Sequence, residues 1–116
     1  MLAVLQEEPG AELVVPLLKD SIVSVVNLAE VYSRLIDSGL TGQEAHQAVA
    51  LLSLTSVPMD EELALRVGEL RPMTRSSGLS LGDRSCLALA AAKGGTAVTA
   101  DRAWTQLEVC TILSIR

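Results

Sequence analysis

Glu30, Asp83 and Asp101 are the acids of this sequence whose positions suggest chemistry. Glu30 lies in Val26-Asn27-Leu28-Ala29-Glu30-Val31, early in a helical stretch that follows the apolar run Ile22-Val23-Ser24-Val25-Val26. Asp83 lies in Ser80-Leu81-Gly82-Asp83, in the first turn of an alanine-rich helix. Asp101 closes Ala97-Val98-Thr99-Ala100-Asp101, directly after a short strand. In an open α/β sheet, helix starts and strand ends meet at one edge, outside the carboxyl ends of the strands, where ligands bind. Carboxylates converging there suit a hard cation, and a hard cation there suits phosphate chemistry.

Each acid also has a plainer role. Glu30 can pair with Arg34 one turn on, worth only about 0.3–0.5 kcal/mol. The apolar neighbours Leu28, Ala29 and Val31 speak against a wholly solvated face there. An acid three residues after a Ser N-cap, as at Asp83, is ordinary helix-start chemistry. Asp101 can simply cap the Arg102-Ala103-Trp104 turn. The site hypothesis gains its weight from the common edge on which all of them fall. Arg84 and Arg102 directly follow Asp83 and Asp101, as phosphate contacts or as exposed arginines balancing local acid. Asn27 is either a polar site residue or the N-cap of its helix. His46 is given no role, and Trp104 reads as core.

The elements that must position these residues alternate along the chain. Met1–Gln6 reads as the end of a helix, broken by Pro9-Gly10. Ala11–Lys19 is a second helix, which Pro16 should kink or delay. Ser21–Val26 is a short β-branched strand, and Asn27–Ser38 a helix stopped by Gly39. Thr41 and Glu44 form a capping box opening a helix to about Leu52. Thr55–Met59 is a strand, and Asp60 caps a helix to about Arg71. Met73–Leu79 reads as a loop, and Ser80 as the next N-cap. The helix Leu81–Lys93 ends at Gly94-Gly95. Thr96–Thr99 is a strand, Asp101–Leu107 a short helix and Val109–Ile115 a last strand. Strands alternating with helices predict a mostly parallel sheet.

Composition sets limits. The 116 residues make one domain, nearly half apolar and a fifth charged, so a packed core is expected. With no Phe, one Tyr and one Trp, base stacking on aromatic platforms is nearly excluded. The net charge of −5 argues against a general basic nucleic-acid surface but leaves room for a local basic rim. Seven of the nine basic residues are Arg, the better bidentate phosphate ligand. Cys86 and Cys110 lack metal-like spacing and read as buried thiols in a reducing cytoplasm. No apolar run is long enough to cross a membrane.

Three segments resemble the PIN-domain family, specifically its small VapC-type toxin ribonucleases. Asn27-Leu28-Ala29-Glu30-Val31 is similar to the second acidic motif of that family. Leu79-Ser80-Leu81-Gly82-Asp83-Arg84-Ser85-Cys86-Leu87-Ala88-Leu89-Ala90 resembles the third. Val98-Thr99-Ala100-Asp101-Arg102-Ala103-Trp104 resembles the fourth, with a hydroxyl residue two before the Asp. The third and fourth together are fairly specific, and the likeness runs over essentially the whole chain.

The resemblance implies a PIN-like three-layer α/β/α fold and Mg²⁺- or Mn²⁺-dependent cleavage of RNA. Glu30, Asp83 and Asp101 would hold the metal, with Thr99 and Asn27 supporting them and Arg84 and Arg102 beside the phosphate. It also implies a cognate antitoxin, a homodimer and a cytoplasmic location. One departure is expected to matter. Family members begin with a central strand that ends in an Asp, and Met1-Leu2-Ala3-Val4-Leu5 matches the helix after it. The sequence 1–116 is therefore expected to be a single domain truncated at its N-terminus, with weakened metal affinity and little activity. A misassigned start would explain this; alternatively a partner chain or an antitoxin segment supplies the strand. A catalytically impaired PIN-like module that pairs with an antitoxin or itself is the competing reading. A receiver domain lacks its strand-end acidic pair here, and no G-x-G-x-x-G follows a strand as a dinucleotide site requires.

Overall fold

The computed structural model of the chain describes residues 1–115. These divide into two compact units, residues 1–57 with Ile115, and residues 58–114.

The first unit opens with a short helix α1 (Leu2–Leu5) and a second, α2 (Ala11–Val14), which passes into a 3₁₀ turn over Val15–Asp20. Pro16 sits at the start of that turn, so the expected single helix changes type there. Gly10 is left-handed (φ +95°), and a Cβ on it would stand 2.6 Å from the Ile115 carbonyl oxygen. Only glycine fits so close an approach. Strand β1 (Ile22–Ser24) is shorter than the run Ser21–Val26, because the Ser24 hydroxyl accepts the Val26 N–H at 3.2 Å. That cap starts helix α3 (Val25–Asp37) two residues earlier than its sequence suggests. Asn27 is therefore inside the helix and is not its cap.

Helix α4 (Gly42–Ala50) begins with the expected Thr41–Glu44 capping box. Strand β2 (Thr55–Val57) pairs parallel with β1, Val23 opposite Ser56. The α3 and α4 faces meet through Val31, Leu35, Ala45 and Val49, all buried.

The second unit starts with α5 (Glu61–Glu69), capped by Asp60, whose Oδ1 accepts the Leu63 N–H at 2.8 Å. Where the loop Met73–Leu79 is expected, a helical turn α6 (Arg71–Thr74) is followed by a 3₁₀ turn, Arg75–Ser77. Pro72 falls in the first turn, where its missing N–H costs nothing, so it starts this segment instead of ending the previous helix. Helix α7 (Leu81–Lys93) runs from the Ser80 cap to Gly94, which is left-handed as a C-terminal stop. Strand β3 (Thr96–Thr99) falls where expected, and Asp101 caps a 3₁₀ turn, Arg102–Gln106. Strand β4 (Thr111–Ser114) pairs parallel with β3, Val98 opposite Leu113. Leu79, Leu87, Ala90, Ala97 and Trp104 form the buried core of this unit. Trp104, 5% exposed, is a core residue as expected.

The α/β class and the parallel pairing agree with the sequence reading. The strands form two separate two-stranded sheets, β1–β2 and β3–β4. Among the described residues β1 and β3 each have a single strand neighbour.

Candidate active site

Each sequence-predicted acid is held by a specific local bond. Glu30 projects from α3, exposed, and its Oε1 accepts the Asn27 side-chain N–H at 3.3 Å. The pairing with Arg34 considered above is not formed; among the described residues the salt bridge is Arg66 to Glu62, at 3.3 Å. Asn27 thus touches the acid it was expected to support.

Asp83 sits half-buried at the start of α7. Its Oδ2 accepts the Ser80 N–H at 2.9 Å, while its own N–H donates to the Ser80 hydroxyl at 3.1 Å. The second carboxylate oxygen has no protein donor among the described residues. Asp101 is exposed at the end of β3. Its Oδ1 accepts the Ala103 N–H at 2.9 Å, and its N–H donates to the Thr99 hydroxyl at 3.0 Å. Thr99 is buried, so the hydroxyl that holds the Asp101 backbone is itself fixed. Both aspartates therefore present a free oxygen from a pinned backbone.

Asp83 and Asp101 belong to the second unit and Glu30 to the first. Among the described residues, no group of three or more His, Cys, Asp or Glu side chains stands together as a metal would need. The donors are nonetheless of the right kind for a hard cation: carboxylate oxygens with a lone pair to spare.

The two arginines differ. Arg102 is exposed beside Asp101. Arg84 is half-buried and donates to the Val67 carbonyl at 3.3 Å, tying α7 to α5, and its buried Nε finds no acceptor. The thiols are half-buried. Burial pushes the Cys86 thiol up to about 11, with Cys110 and Asp83 adding in the same direction. Burial also raises Cys110, against an opposing hydrogen bond from the Ala97 backbone.

Two features escaped the sequence reading. In the first unit a half-open cavity of about 170 Å³ is lined by Val23, Leu28, Val49 and Leu54, with Tyr32 and His46 beside them. The Tyr32 and His46 rings lie 6.4 Å apart. The spacing of Tyr32 and His46 on different helices gives no sequence signal for that contact. In the second unit Arg71 and Arg75 are exposed one helical turn apart, Arg71 at the expected end of one helix and Arg75 in the segment expected to be a loop.

No curated protein and no solved structure matches the chain. The PIN domain family model does, over residues 1–109. Asp83 at the head of a small-residue helix and Asp101 after β3 fall within that span, as do α3 and Glu30. The chain belongs to the PIN-domain family, whose members are generally metal-dependent nucleases.

Proposed function

We propose that this protein is a metal-dependent endoribonuclease, the VapC-type toxin of a type II toxin–antitoxin pair. The observation that carries this reading is the placement of Asp83 and Asp101. One opens α7 and the other closes β3, each pinned through its backbone and each with a carboxylate oxygen to spare. Glu30, Asp83 and Asp101 would hold a Mg²⁺ or Mn²⁺ ion. Such an ion, when bound, activates a water and offsets charge on the phosphate.

The chain's own residues do the positioning. The Ser80 bonds fix the Asp83 rotamer at the N-terminal turn of α7, where backbone N–H groups also favour negative charge. Thr99 holds the Asp101 backbone, and Asn27 steadies Glu30. Arg102 is free to meet a phosphate oxygen beside Asp101. Arg84 has one N–H committed to Val67, so its part is to brace α7 under Asp83 as well as to face a phosphate. The substrate is RNA, the protein partner a cognate antitoxin, the assembly a homodimer and the compartment the cytoplasm. No helix among the described residues is long and apolar enough to cross a membrane.

A second reading, a catalytically impaired PIN module that pairs with an antitoxin or with itself, is favoured by one observation. Asp83 and Asp101 each already serve as a helix-start acceptor. RNA cleavage measured with Mg²⁺ and with Mn²⁺, beside thermal melting in the same ions, separates the two. Cleavage that needs the ion and is lost in Asp83→Asn supports the nuclease. A protein that neither cuts RNA nor melts higher with either ion is the impaired module.

A further inference from the structure

We infer that Arg71 and Arg75 form a phosphate-binding ridge that grips the backbone of a single-stranded RNA, an inference that rests on the ribonuclease reading above. Both side chains are exposed, and neither has an acidic partner among the described residues. They stand one helical turn apart with like charge, an arrangement that destabilises an isolated helix. The fold therefore gains nothing from the pair and carries its repulsion.

The backbone beneath them is fixed. Thr74, between them, is fully buried, and its hydroxyl donates to the Leu70 carbonyl at 2.7 Å. Pro72 stiffens the first turn, and Leu79 anchors the far end in the core at 4% exposure. A pinned segment presenting two free guanidinium groups is pre-organised for an anion, so less binding energy is lost to ordering. Arginine suits that task through its planar, forked donors.

The distribution of charge points the same way. Residues 1–57 carry seven acids and two basic residues. Between Leu70 and Leu107 there are five basic residues, Arg71, Arg75, Arg84, Lys93 and Arg102. That stretch has only two acids, and they are Asp83 and Asp101. Five of the nine basic residues thus lie in the stretch that also holds Asp83 and Asp101, with Glu69 and Glu108 just outside it. A polyanion such as RNA is drawn to that stretch and repelled by the rest.

The test is fluorescence anisotropy of a labelled single-stranded RNA in EDTA, so that no cleavage intervenes, over a series of salt concentrations. Wild type, the double variant Arg71→Ala/Arg75→Ala and the double variant Arg71→Lys/Arg75→Lys are compared. Two lost phosphate contacts make the log–log salt slope shallower by about 1.4, which is roughly 25-fold in affinity at 0.1 M salt. The lysine variant recovers most of that and melts with wild type, and the alanine variant melts no lower, because the side chains are exposed and their mutual repulsion is removed. An alanine variant with the wild-type slope and affinity overturns the ridge while leaving the nuclease reading intact. A wild-type protein that binds no RNA overturns both.

Discussion

Ser80 and Asp83 exchange hydrogen bonds: the Ser80 N–H donates to the Asp83 carboxylate at 2.9 Å, and the Asp83 N–H donates to the Ser80 hydroxyl at 3.1 Å. The same aspartate is thus a helix cap and the best candidate ligand in the chain, and the two roles separate by substitution. Asn at position 83 still offers an oxygen to the Ser80 N–H, so Asp83→Asn should cost only the charge–dipole contribution, about 0.3–1 kcal/mol. Its loss as a ligand should reduce RNA cleavage by more than the roughly 10–100-fold typical of removing an outer-shell partner. Ser80→Ala should do the reverse, costing about 1 kcal/mol of stability with a smaller loss of cleavage. Chemical denaturation and a cleavage assay on the two variants give the comparison. If Asp83→Asn retains full cleavage, Asp83 is a cap alone.

Thr99 and Asp101 make a second such pair, with buried support on one side and the exposed acid on the other. Thr99→Val keeps the shape of the side chain and leaves the part-buried Asp101 N–H without an acceptor, at a cost of about 1–3 kcal/mol. Thr99→Ser keeps the acceptor and should restore most of that stability. The informative readout is the affinity for Mn²⁺ measured by calorimetry. A supporting role predicts weaker binding in Thr99→Val and near-normal binding in Thr99→Ser. Equal affinity in both would confine Thr99 to the fold.

The Ser80–Asp83 and Thr41–Glu44 boxes are legible in the sequence because they are local. A Ser three residues before an Asp, or a Thr three before a Glu, meets its partner through one turn of helix, whatever the rest of the chain does. The boundaries of β1 and α3 depart from the sequence pattern for a related reason. Val25 and Val26 favour strands by propensity, but the Ser24 hydroxyl caps the Val26 N–H and turns the chain helical first. The turn at Arg71–Ser77 was hidden because Pro72 reads as a breaker, although it is tolerated in a first turn. Arg84 was the least legible residue. Its bond to Val67 spans seventeen positions and depends on how α5 packs against α7, which no local pattern encodes. The pattern of alternating elements predicts the parallel pairing found in β1–β2 and in β3–β4, but it counts strands without fixing their neighbours.

The Thr41–Glu44 box makes a prediction about acid. The Thr41 backbone N–H donates to the Glu44 carboxylate at 2.9 Å and, with the Thr41 hydroxyl, holds it below its ordinary 4.5. A carboxyl lowered in the folded state adds stability above its unfolded value, and that stability is lost as pH falls through the folded value. The loss should therefore begin near pH 4.5 and continue below it. Glu44→Gln, which cannot ionise, should show a shallower fall in melting temperature over the same range. Parallel curves for the two proteins would show that Glu44 adds nothing to acid sensitivity.

Cys86 makes the opposite prediction at alkaline pH. Burial among Leu87, Ala90 and their neighbours disfavours the thiolate, and the thiol titrates near 11 in place of its ordinary 9.0. Because the folded value is raised, the neutral thiol's contribution is fully present below pH 9.0 and is lost as pH climbs toward 11. Two pH units correspond to at most about 2–3 kcal/mol. The difference in melting temperature between wild type and Cys86→Ala should therefore shrink or reverse between pH 9 and 11. At pH 8 the folded protein should react with iodoacetamide far more slowly at Cys86 than the denatured chain does, since the thiolate is the nucleophile. Peptide mapping of the two cysteines reads this directly. Equal rates in the folded and denatured protein would mean that the helix carrying Cys86 opens freely, and that the core around Leu87 is not closed in solution.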